Sequence, residues 1–259
     1  HAELVIAGLR AGKHVFVEKP LCINPAELAA IESCIEELGD HCPVLMVGFN
    51  RRFAPALSIL QRHFAQTGPL SVSYRFATAQ LPANSWTQDE DIGGGRIIGE
   101  ACHAIDTCAA LIGSPATRVY AESLAKVHGI ETTDDRVFIT LRHTDGSVSN
   151  ISYQAGGDRA AAGERIEVYG GGHTGILDNW ETIELWRDNS RTRERGGKDK
   201  GHAAELEKFL TICRNGGDWP ISWEHIYGTS WASLAAVQSL REGLPIEYLP
   251  GQRWQYAIA

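Results

Sequence analysis

Lys19 is the first side chain in this sequence whose position suggests chemistry. It lies between Glu18 and Pro20, directly after the apolar residues 15–17 of a short predicted strand. A lysine at the carboxyl end of a strand can hold a hydroxyl or carbonyl oxygen, and partial burial lowers its pKa. Because Pro20 restricts the preceding residue to extended backbone, the Lys19 side chain has a fixed starting direction. The alternative, a solvated loop lysine, fits the position equally well.

The segment 93–106, GGGRIIGEACHAID, carries a second candidate group. On a helix, a polar arc would hold Glu100, His103, Asp106 and Thr107. Glu100 and His103 are three residues apart, so their side chains can meet. A carboxylate beside an imidazole orients the ring and raises its pKa, as general acid–base catalysis requires. The alternative is a solvent-facing or interface helix on which the histidine is incidental.

A third candidate group, Asn50, Arg51 and Arg52, follows a second short apolar strand at 44–48. The asparagine amide both donates and accepts hydrogen bonds, and guanidinium groups bind phosphates or carboxylates. The alternative is a charged junction between domains, and we expect one of the two arginines to serve only that purpose.

The elements that must position these groups fall into two parts. Residues 1–48 predict helix, strand, helix and strand, with Asn24, Pro25 and Glu27 marking the start of the second helix. This order is typical of a parallel α/β sheet. Two strands do not make a stable doubly wound domain. We therefore expect that another chain completes the sheet, or that the front of the domain is missing.

The remaining residues predict an open, mostly antiparallel sheet with helices on one face. Asp145 and Gly146 are a hairpin signal between two of its strands. Residues 191–200 are predicted as a basic, solvated loop. The predicted strands are 70–81, 118–126, 136–143, 148–154, 165–169 and 182–187, and the predicted helices are 101–112, 203–214 and 224–241.

One glycine-rich segment, Gly170–Gly175, matches the letters of a dinucleotide-binding loop. Pyrophosphate binding needs a helix N-terminus after the glycines, and the residues that follow predict no amphipathic helix. We interpret the segment as a hairpin turn. The sequence therefore shows no glycine loop for a dinucleotide.

Composition narrows the function classes. The 24 lysines and arginines against 32 acidic residues give a formal net charge of −8, which argues against a nucleic-acid partner. There is no secretory leader at the start of the sequence and no apolar run near the ~18 residues that span a membrane, so we expect a cytoplasmic protein. Cys34, His41 and Cys42 lack a fourth ligand for zinc, and we predict no metal.

Taken together, the segments resemble the Gfo/Idh/MocA family of NAD(P)-dependent oxidoreductases. The resemblance rests on the run from His1 to the Glu-Lys-Pro tripeptide, on GFNRRF at 48–53, and on the glycine-rich segment that contains His103. It implies a Rossmann domain, of which residues 1–50 are the C-terminal remnant, and a substrate and oligomerisation domain at 51–259. The fold class is then α/β plus α+β.

The resemblance also implies roles for individual residues. Lys19 and His103 are the implied catalytic residues, and Glu100 joins them in contacting the substrate, a sugar, polyol or sugar nucleotide. Glu18, Lys19, Pro20, Asn50 and Arg52 are the implied contacts of NAD or NADP. Family members often carry an aspartate four residues before the histidine, where this chain has Gly99, and Glu100 is the nearest replacement.

Three functional hypotheses follow. The first is an oxidoreductase that, when intact, transfers hydride between NAD(P) and a hydroxyl-bearing carbon, with the present chain weak or inactive because its phosphate loop is absent. The second is a non-catalytic assembly domain, and the third an NAD-dependent glycosidase. We also expect a homodimer or homotetramer that forms through the open sheet.

Overall fold

The computed structural model describes residues 1–82, 84–125, 134–161 and 163–248. Its N-terminal lobe, residues 1–50, confirms the predicted alternation of helices and strands. The two strands pair in parallel, with Val15 opposite Leu45 and Val17 opposite Val47. The elements of this lobe are α1 (Ala2–Arg10), β1 (Val15–Val17), α2 (Pro25–Leu38) and β2 (Leu45–Val47).

Helix α2 begins where the sequence predicts. The Asn24 side chain accepts a hydrogen bond from the backbone N–H of Glu27 at 3.0 Å, and the Glu27 carboxylate accepts one from the N–H of Ile23 at 2.9 Å. This reciprocal pair satisfies two N–H groups that the helix itself cannot. The helix then buries Leu28 and Ile31 in the hydrophobic core.

A 3₁₀ turn, Asn50–Phe53, leads from the N-terminal lobe into a large sheet. The described residues of this sheet form nine strands in the order β10-β9-β8-β7-β3-β6-β5-β4-β11. The strands are β3 (Ser71–Thr78), β4 (Ala116–Ser123), β5 (Arg136–His143), β6 (Val148–Ala155), β7 (Gly163–Gly170), β8 (His173–Asp178), β9 (Thr182–Arg187), β10 (Ser190–Arg195) and β11 (Ile246–Glu247).

Neighbouring strands run antiparallel except for β3 and β6, which are parallel. The predicted open, mostly antiparallel sheet is therefore confirmed, and so is the Asp145–Gly146 hairpin between β5 and β6. The predicted strand 118–126 ends at Ser123, and residue 126 lies outside the described residues.

Helices cover one face of the sheet, as predicted. Helix α3 contacts strand β8, α4 contacts β3 and β6, and α6 contacts β4. Alternate strand residues such as Val72, Tyr74 and Ile151 are buried beneath these helices, whereas their neighbours on the outer face stay exposed or half-exposed. The helices are α3 (Pro55–His63), α4 (Cys102–Ile112), α5 (His202–Asn215) and α6 (Trp223–Glu242).

The prediction of a loop over residues 191–200 is wrong for its first half. Residues up to Arg195 form the edge strand β10, which pairs with β9 through a tight turn at Asp188 and Asn189, both with positive φ. Every side chain of β10 is exposed, so the strand shows no apolar alternation by which it could be found. Helix α3 and strand β8 are likewise absent from the predicted elements.

The glycine-rich segment 170–175 is a hairpin turn between β7 and β8, as predicted. Gly171 and Gly172 adopt positive φ there, which glycine accommodates without strain. A Cβ atom at Gly175 would lie 2.8 Å from the side chains of Leu60 and Phe64. This glycine therefore allows α3 to pack against β8, which is a structural role and not a nucleotide-binding one.

Candidate active site

Lys19 reaches from the N-terminal lobe to the segment that precedes α4. Its Nζ donates hydrogen bonds to the carbonyl oxygen of Gly99 at 2.7 Å and to Oε2 of Glu100 at 2.8 Å. The Lys19 and Glu100 side chains remain 21% and 25% exposed. Two segments about 80 residues apart in sequence thus meet in one partly exposed ion pair, a contact that the sequence analysis did not predict.

The backbone around Glu100 is a π-helical turn, Ile97–Ala101, that continues into α4. Such turns often occur where a helix presents functional groups. Because of this turn, both the carbonyl of Gly99 and the carboxylate of Glu100 lie against the lysine. Glu100 therefore provides the lysine's acidic partner in a chain with glycine at position 99.

The glycines before the turn allow close approach from two sides. A Cβ atom at Gly94 would lie 3.0 Å from the side chain of Ile23, and one at Gly95 would lie 2.5 Å from the Asp134 carboxylate. That carboxylate also accepts a hydrogen bond from the backbone N–H of Arg96. Both glycines have positive φ, so residues with side chains would be strained there as well as crowded.

His103 is the second residue of α4 and is 6% exposed. Its ring packs edge-to-face on Phe49, with 6.4 Å between ring centroids, and its Nδ1 has no hydrogen-bond partner among the described residues. Burial lowers the pKa of His103 well below its usual value, and the positive charges of Arg51 and Lys19 lower it further. The imidazole is therefore neutral at neutral pH.

The predicted pairing of Glu100 with His103 is wrong. The Glu100 carboxylate binds Lys19, and no hydrogen bond joins it to the imidazole in the described structure. The expected rise in the histidine pKa is wrong for the same reason, since two cations and burial dominate. The solvent-facing alternative also fails, because His103, Asp106 and Thr107 are buried between the sheet and α6.

Arg51 and Arg52 bind two different buried carboxylates. The Arg51 guanidinium donates to both carboxylate oxygens of Glu164, at 2.8 and 2.9 Å, and Lys200 donates to the same group at 2.7 Å. Arg52 donates from Nε to Oδ2 of Asp106 at 3.0 Å. Burial would raise the pKa of Glu164, but hydrogen bonds and charge from Arg51 and Lys200 lower it to about 2.

Asn50 completes this crossing between the lobes, since its side-chain amide donates to the backbone carbonyl of Lys200 at 2.8 Å. The two residues predicted here as cofactor contacts, Asn50 and Arg52, therefore both have partners within the protein. Contact of either residue with NAD(P) stays a prediction.

Glu205, in the first turn of α5, is a group that the sequence analysis missed. It is 4% exposed, and its Oε2 has no hydrogen-bond partner among the described residues. Burial raises the pKa of Glu205 to about 7, and the neighbouring carboxylates of Glu18 and Asp106 act in the same direction. Its flanking residues are exposed, so the helix pattern gives no sign that this glutamate is buried.

Glu164, Arg96 and Tyr153 are also missed, for other reasons. Glu164 lies one residue before the predicted strand 165–169, although it is the first inward-facing residue of β7. Tyr153 follows the ordinary alternation of β6, and Arg96 stands in a glycine-rich segment without periodicity. In none of the three does local sequence distinguish a polar group that becomes buried.

The described residues fit only part of a dinucleotide. Lys19 as a hydrogen-bond donor and the neutral His103 as an acceptor suit a hydroxyl group beside a nicotinamide ring. A Cβ atom at Gly48, after β2, would lie 3.0 Å from Oε2 of Glu18, so this glycine accommodates a side chain of the protein itself. No described strand is followed by a glycine loop and a helix N-terminus suited to pyrophosphate.

The described residues contain no group of three or more histidine, cysteine or acidic side chains arranged to hold a metal ion. No helix within those ranges is both long and apolar enough to cross a membrane.

Comparison with known proteins adds family-level information. Residues 1–49 match the model of an oxidoreductase family with an NAD-binding Rossmann fold, and residues 68–174 match the GFO/IDH/MocA C-terminal domain. The chain is 31% identical to myo-inositol 2-dehydrogenase of Thermotoga maritima over 258 residues, which cover 93% of this chain and 75% of that protein.

Solved structures show the same fold. An oxidoreductase domain protein from Kribbella flavida superposes with a TM-score of 0.81 at 22% identity, over 95% of this chain and 77% of that one. A levoglucosan dehydrogenase in complex with NADH and levoglucosan gives a TM-score of 0.80 at 20% identity, over 95% and 76% of the two chains.

Proposed function

This chain belongs to the Gfo/Idh/MocA family of NAD(P)-dependent oxidoreductases, and from that premise we propose that it oxidises a hydroxyl-bearing carbon of a cyclic sugar or polyol. The observation that carries the proposal is the meeting of Lys19 with Glu100 beside the buried His103. The inositol and levoglucosan substrates named for its relatives favour a substrate of the same class.

Lys19 is the proposed contact of the reacting oxygen. An ammonium group has three N–H donors, and Gly99 and Glu100 occupy two of them. The third donor is left for a substrate hydroxyl, whose alkoxide form the positive charge stabilises. The Glu100 carboxylate and the carbonyl hold the ammonium group in place, so the position of this donor is fixed before substrate binds.

His103 is the proposed proton acceptor. Because its pKa is lowered, the imidazole is unprotonated at neutral pH, and its Nδ1 is free of partners among the described side chains. A bound nicotinamide supplies the hydride acceptor. The chain's own residues orient the hydroxyl and remove its proton.

Turnover assays test this function directly. For the intact enzyme, which carries a pyrophosphate loop, we expect reduction of NAD or NADP with inositols or pyranoses as substrates, and a loss of kcat/KM of about 10²–10⁴-fold in Lys19→Met. Lys13→Met, on the exposed loop before β1, is the matched control. Equal activity of the two variants would contradict the role of Lys19.

The two other hypotheses give different outcomes in the same assays. A glycosidase would release nitrophenol from a nitrophenyl glycoside without net NADH formation. An assembly domain would show neither reaction. The 259-residue chain on its own is proposed to bind NAD(P) weakly, since residues 1–49 contain no pyrophosphate loop, and calorimetric titration that gives tight binding would contradict this.

We further propose that the outer face of the sheet forms a homo-oligomer. Phe138 and Tyr169 are about half-exposed on that face, which no described helix covers. Light scattering is expected to show a dimer or tetramer, and Phe138→Asp to shift it toward monomer. A monomeric wild-type protein would contradict the proposal.

A further inference from the structure

Helix α5 follows strand β10 of the large sheet in sequence, yet it packs against the N-terminal lobe. The ring of Phe209 contacts the ring of Phe16 on β1 edge-to-face, with centroids 5.6 Å apart. At the start of the helix, a Cβ atom at Gly201 would lie 2.4 Å from the carbonyl oxygen of Asn50, just beyond the carboxyl end of β2. Because β1 and β2 are parallel, the helix runs from the carboxyl end of this small sheet toward its middle, antiparallel to β1.

This direction places Glu205 opposite Glu18. Glu205 is four residues before Phe209, so it lies on the same face of α5, ~6 Å nearer to the start of the helix. Glu18 follows Phe16 by two residues, so it lies on the same side of the strand, ~6.6 Å further toward its carboxyl end. The two steps are nearly equal and run in the same direction, which brings the carboxyl group of the helix to the acidic side chain that follows β1.

Glu205 is enclosed, whereas Glu18 is exposed. Glu205 is 4% exposed, its Oε2 has no hydrogen-bond partner, and no cation pairs with its carboxyl group within the described ranges. The other nearby carboxylate, Asp106 of α4, already binds Arg52. The carboxyl group of Glu205 is therefore neutral when packed, because neither water nor a positive charge compensates its ionised form.

The pKa of Glu205 agrees with this placement. Burial and, to a smaller extent, the negative charges of Glu18 and Asp106 raise the pKa to about 7. Glu205 therefore ionises near neutral pH. The cations on the elements packed around it are held by other carboxylates or exposed to water, and they are Lys19, Arg52, His202 and Lys208.

We infer that Glu205 is a pH-sensitive contact between the two lobes: its neutral carboxyl group lets α5 stay packed on β1, and its ionised form loosens the helix from the N-terminal lobe. The carboxylate requires hydration that the packed interface does not supply, and it lies opposite the negative charge of Glu18. Water reaches it when the helix separates locally from the strand, because Glu205 and Phe209 face the lobe together. This loosening involves neither substrate nor cofactor, so it is independent of the proposed dehydrogenase activity.

Hydrogen exchange of the α5 backbone amides tests this loosening. Protection factors, which remove the intrinsic pH dependence of exchange, are compared at pH 6 and pH 8. With a pKa of about 7 in the packed state and 4.5 in the open state, protection of α5 in the wild type is expected to fall about 10-fold between these pH values. In Glu205→Gln it is expected to be the same at both. Constant protection in the wild type, or an equal fall in Glu205→Gln, would overturn the inference.

Further measurements separate the possible causes. Glu207→Gln, on the exposed side of α5, is the matched control and is expected to keep the full fall. Glu18→Gln removes the opposing charge but not the burial, so a smaller fall is expected. Protection of α5 as high as that of β5 and β6 would show that the helix opens only by global unfolding, which would overturn the inference.

A carbon-13 NMR titration of the wild-type carboxyl groups requires no variant that must fold. A midpoint near 7 is expected for Glu205. A midpoint near 4.5 would show that the packed interface does not keep this group neutral and would overturn the inference.

Discussion

The ion pairs of this protein differ sharply between the site and the crossing that joins the lobes. Lys19 and Glu100 keep a fifth to a quarter of their surface exposed, and the lysine retains a donor for a ligand. At the crossing, Arg51 and Glu164 are only 7% and 3% exposed, and Glu164 accepts hydrogen bonds from three side chains. The difference suits the first pair to the proposed chemistry and the second to holding the two lobes together.

The largest change in the free energy of unfolding is expected when the buried ion pair of Arg51 and Glu164 is broken. Glu164→Gln leaves Arg51 and Lys200 without their shared counter-ion, which is expected to cost about 3–5 kcal/mol of unfolding free energy. Urea denaturation measures this loss. Glu167→Gln, on the outer face of the same strand, is the matched control and is expected to cost less than about 1 kcal/mol.

The double variant Arg51→Met/Glu164→Leu sharpens the comparison further. Since the charges of Arg51 and Glu164 are then both removed, and the remaining cation, Lys200, is 36% exposed and can be solvated, the double variant is expected to be more stable than Glu164→Gln. If the double variant were the less stable of the two, the loss would come from packing and not from uncompensated charge.

His103→Asn tests the chemical side of the comparison. We expect kcat/KM for substrate oxidation to fall about 10²–10³-fold, with little change in thermal stability. In the wild-type enzyme, oxidation should decline only below pH 6.5, because the lowered pKa keeps the imidazole unprotonated in more acidic solution. A pH–rate profile provides the measurement, and an acid limb centred above pH 6.5 would contradict the assignment.

Substitution of Glu205 is expected to change the stability of the protein by an intermediate amount that depends on pH. The pKa of Glu205 is raised to about 7 in the folded protein from an ordinary value near 4.5. The folded protein therefore has its full stability below pH 4.5, where this carboxyl group is neutral in both the folded and the unfolded state. Part of that stability is lost as the pH rises through 7. Glu205→Gln is therefore expected to be more stable than the wild type at pH 8, by roughly 1–3 kcal/mol. Near pH 4.5 the two proteins should be alike.

Thermal unfolding at both pH values measures the difference between these proteins. Glu207→Gln, an exposed glutamate two residues further along the same helix, is the control. A Glu205→Gln advantage of the same size at both pH values would show that titration of the carboxyl is not its cause.

The smallest effect is expected for the stability of the half-exposed pair. A double-mutant cycle on Lys19→Met and Glu100→Gln should give a coupling of less than about 1 kcal/mol, because partly solvated ion pairs contribute little. Chemical denaturation measures this coupling. A value as large as that of a buried pair would remove the distinction between the two regions.

The features that could be predicted from the sequence are mainly those that depend on residues close together along the chain. The start of α2 follows from Asn24, Pro25 and Glu27, and most strands follow from alternation. Both of these features depend on a pattern within a few neighbouring residues. The family resemblance implied that Lys19, Glu100 and His103 share one site, and the hydrogen bond of Lys19 to Glu100 joins two of the three.

The rest depends on contacts between distant parts of the chain. Arg51 and Glu164 are 113 residues apart in sequence, and nothing local identifies them as partners. Two glycine triplets make the same point. Gly93–Gly95 is shaped by Ile23 and Asp134 from elsewhere in the chain. In Gly170–Gly172, the last two glycines also adopt the positive φ that the turn between the neighbouring strands β7 and β8 requires. Only the second could be interpreted from its own neighbourhood.

The crossing between the lobes also bears on how substrate enters. Three successive residues, Asn50, Arg51 and Arg52, are each tied to a different part of the second domain: the loop before α5, strand β7 and helix α4. Rotation within this segment would break all three attachments and hydrate two buried charge pairs, so we expect the segment to move together with the second domain. Any hinge between the lobes is then expected to lie before Asn50, and the contact of Lys19 with Glu100 is one that such a motion would open.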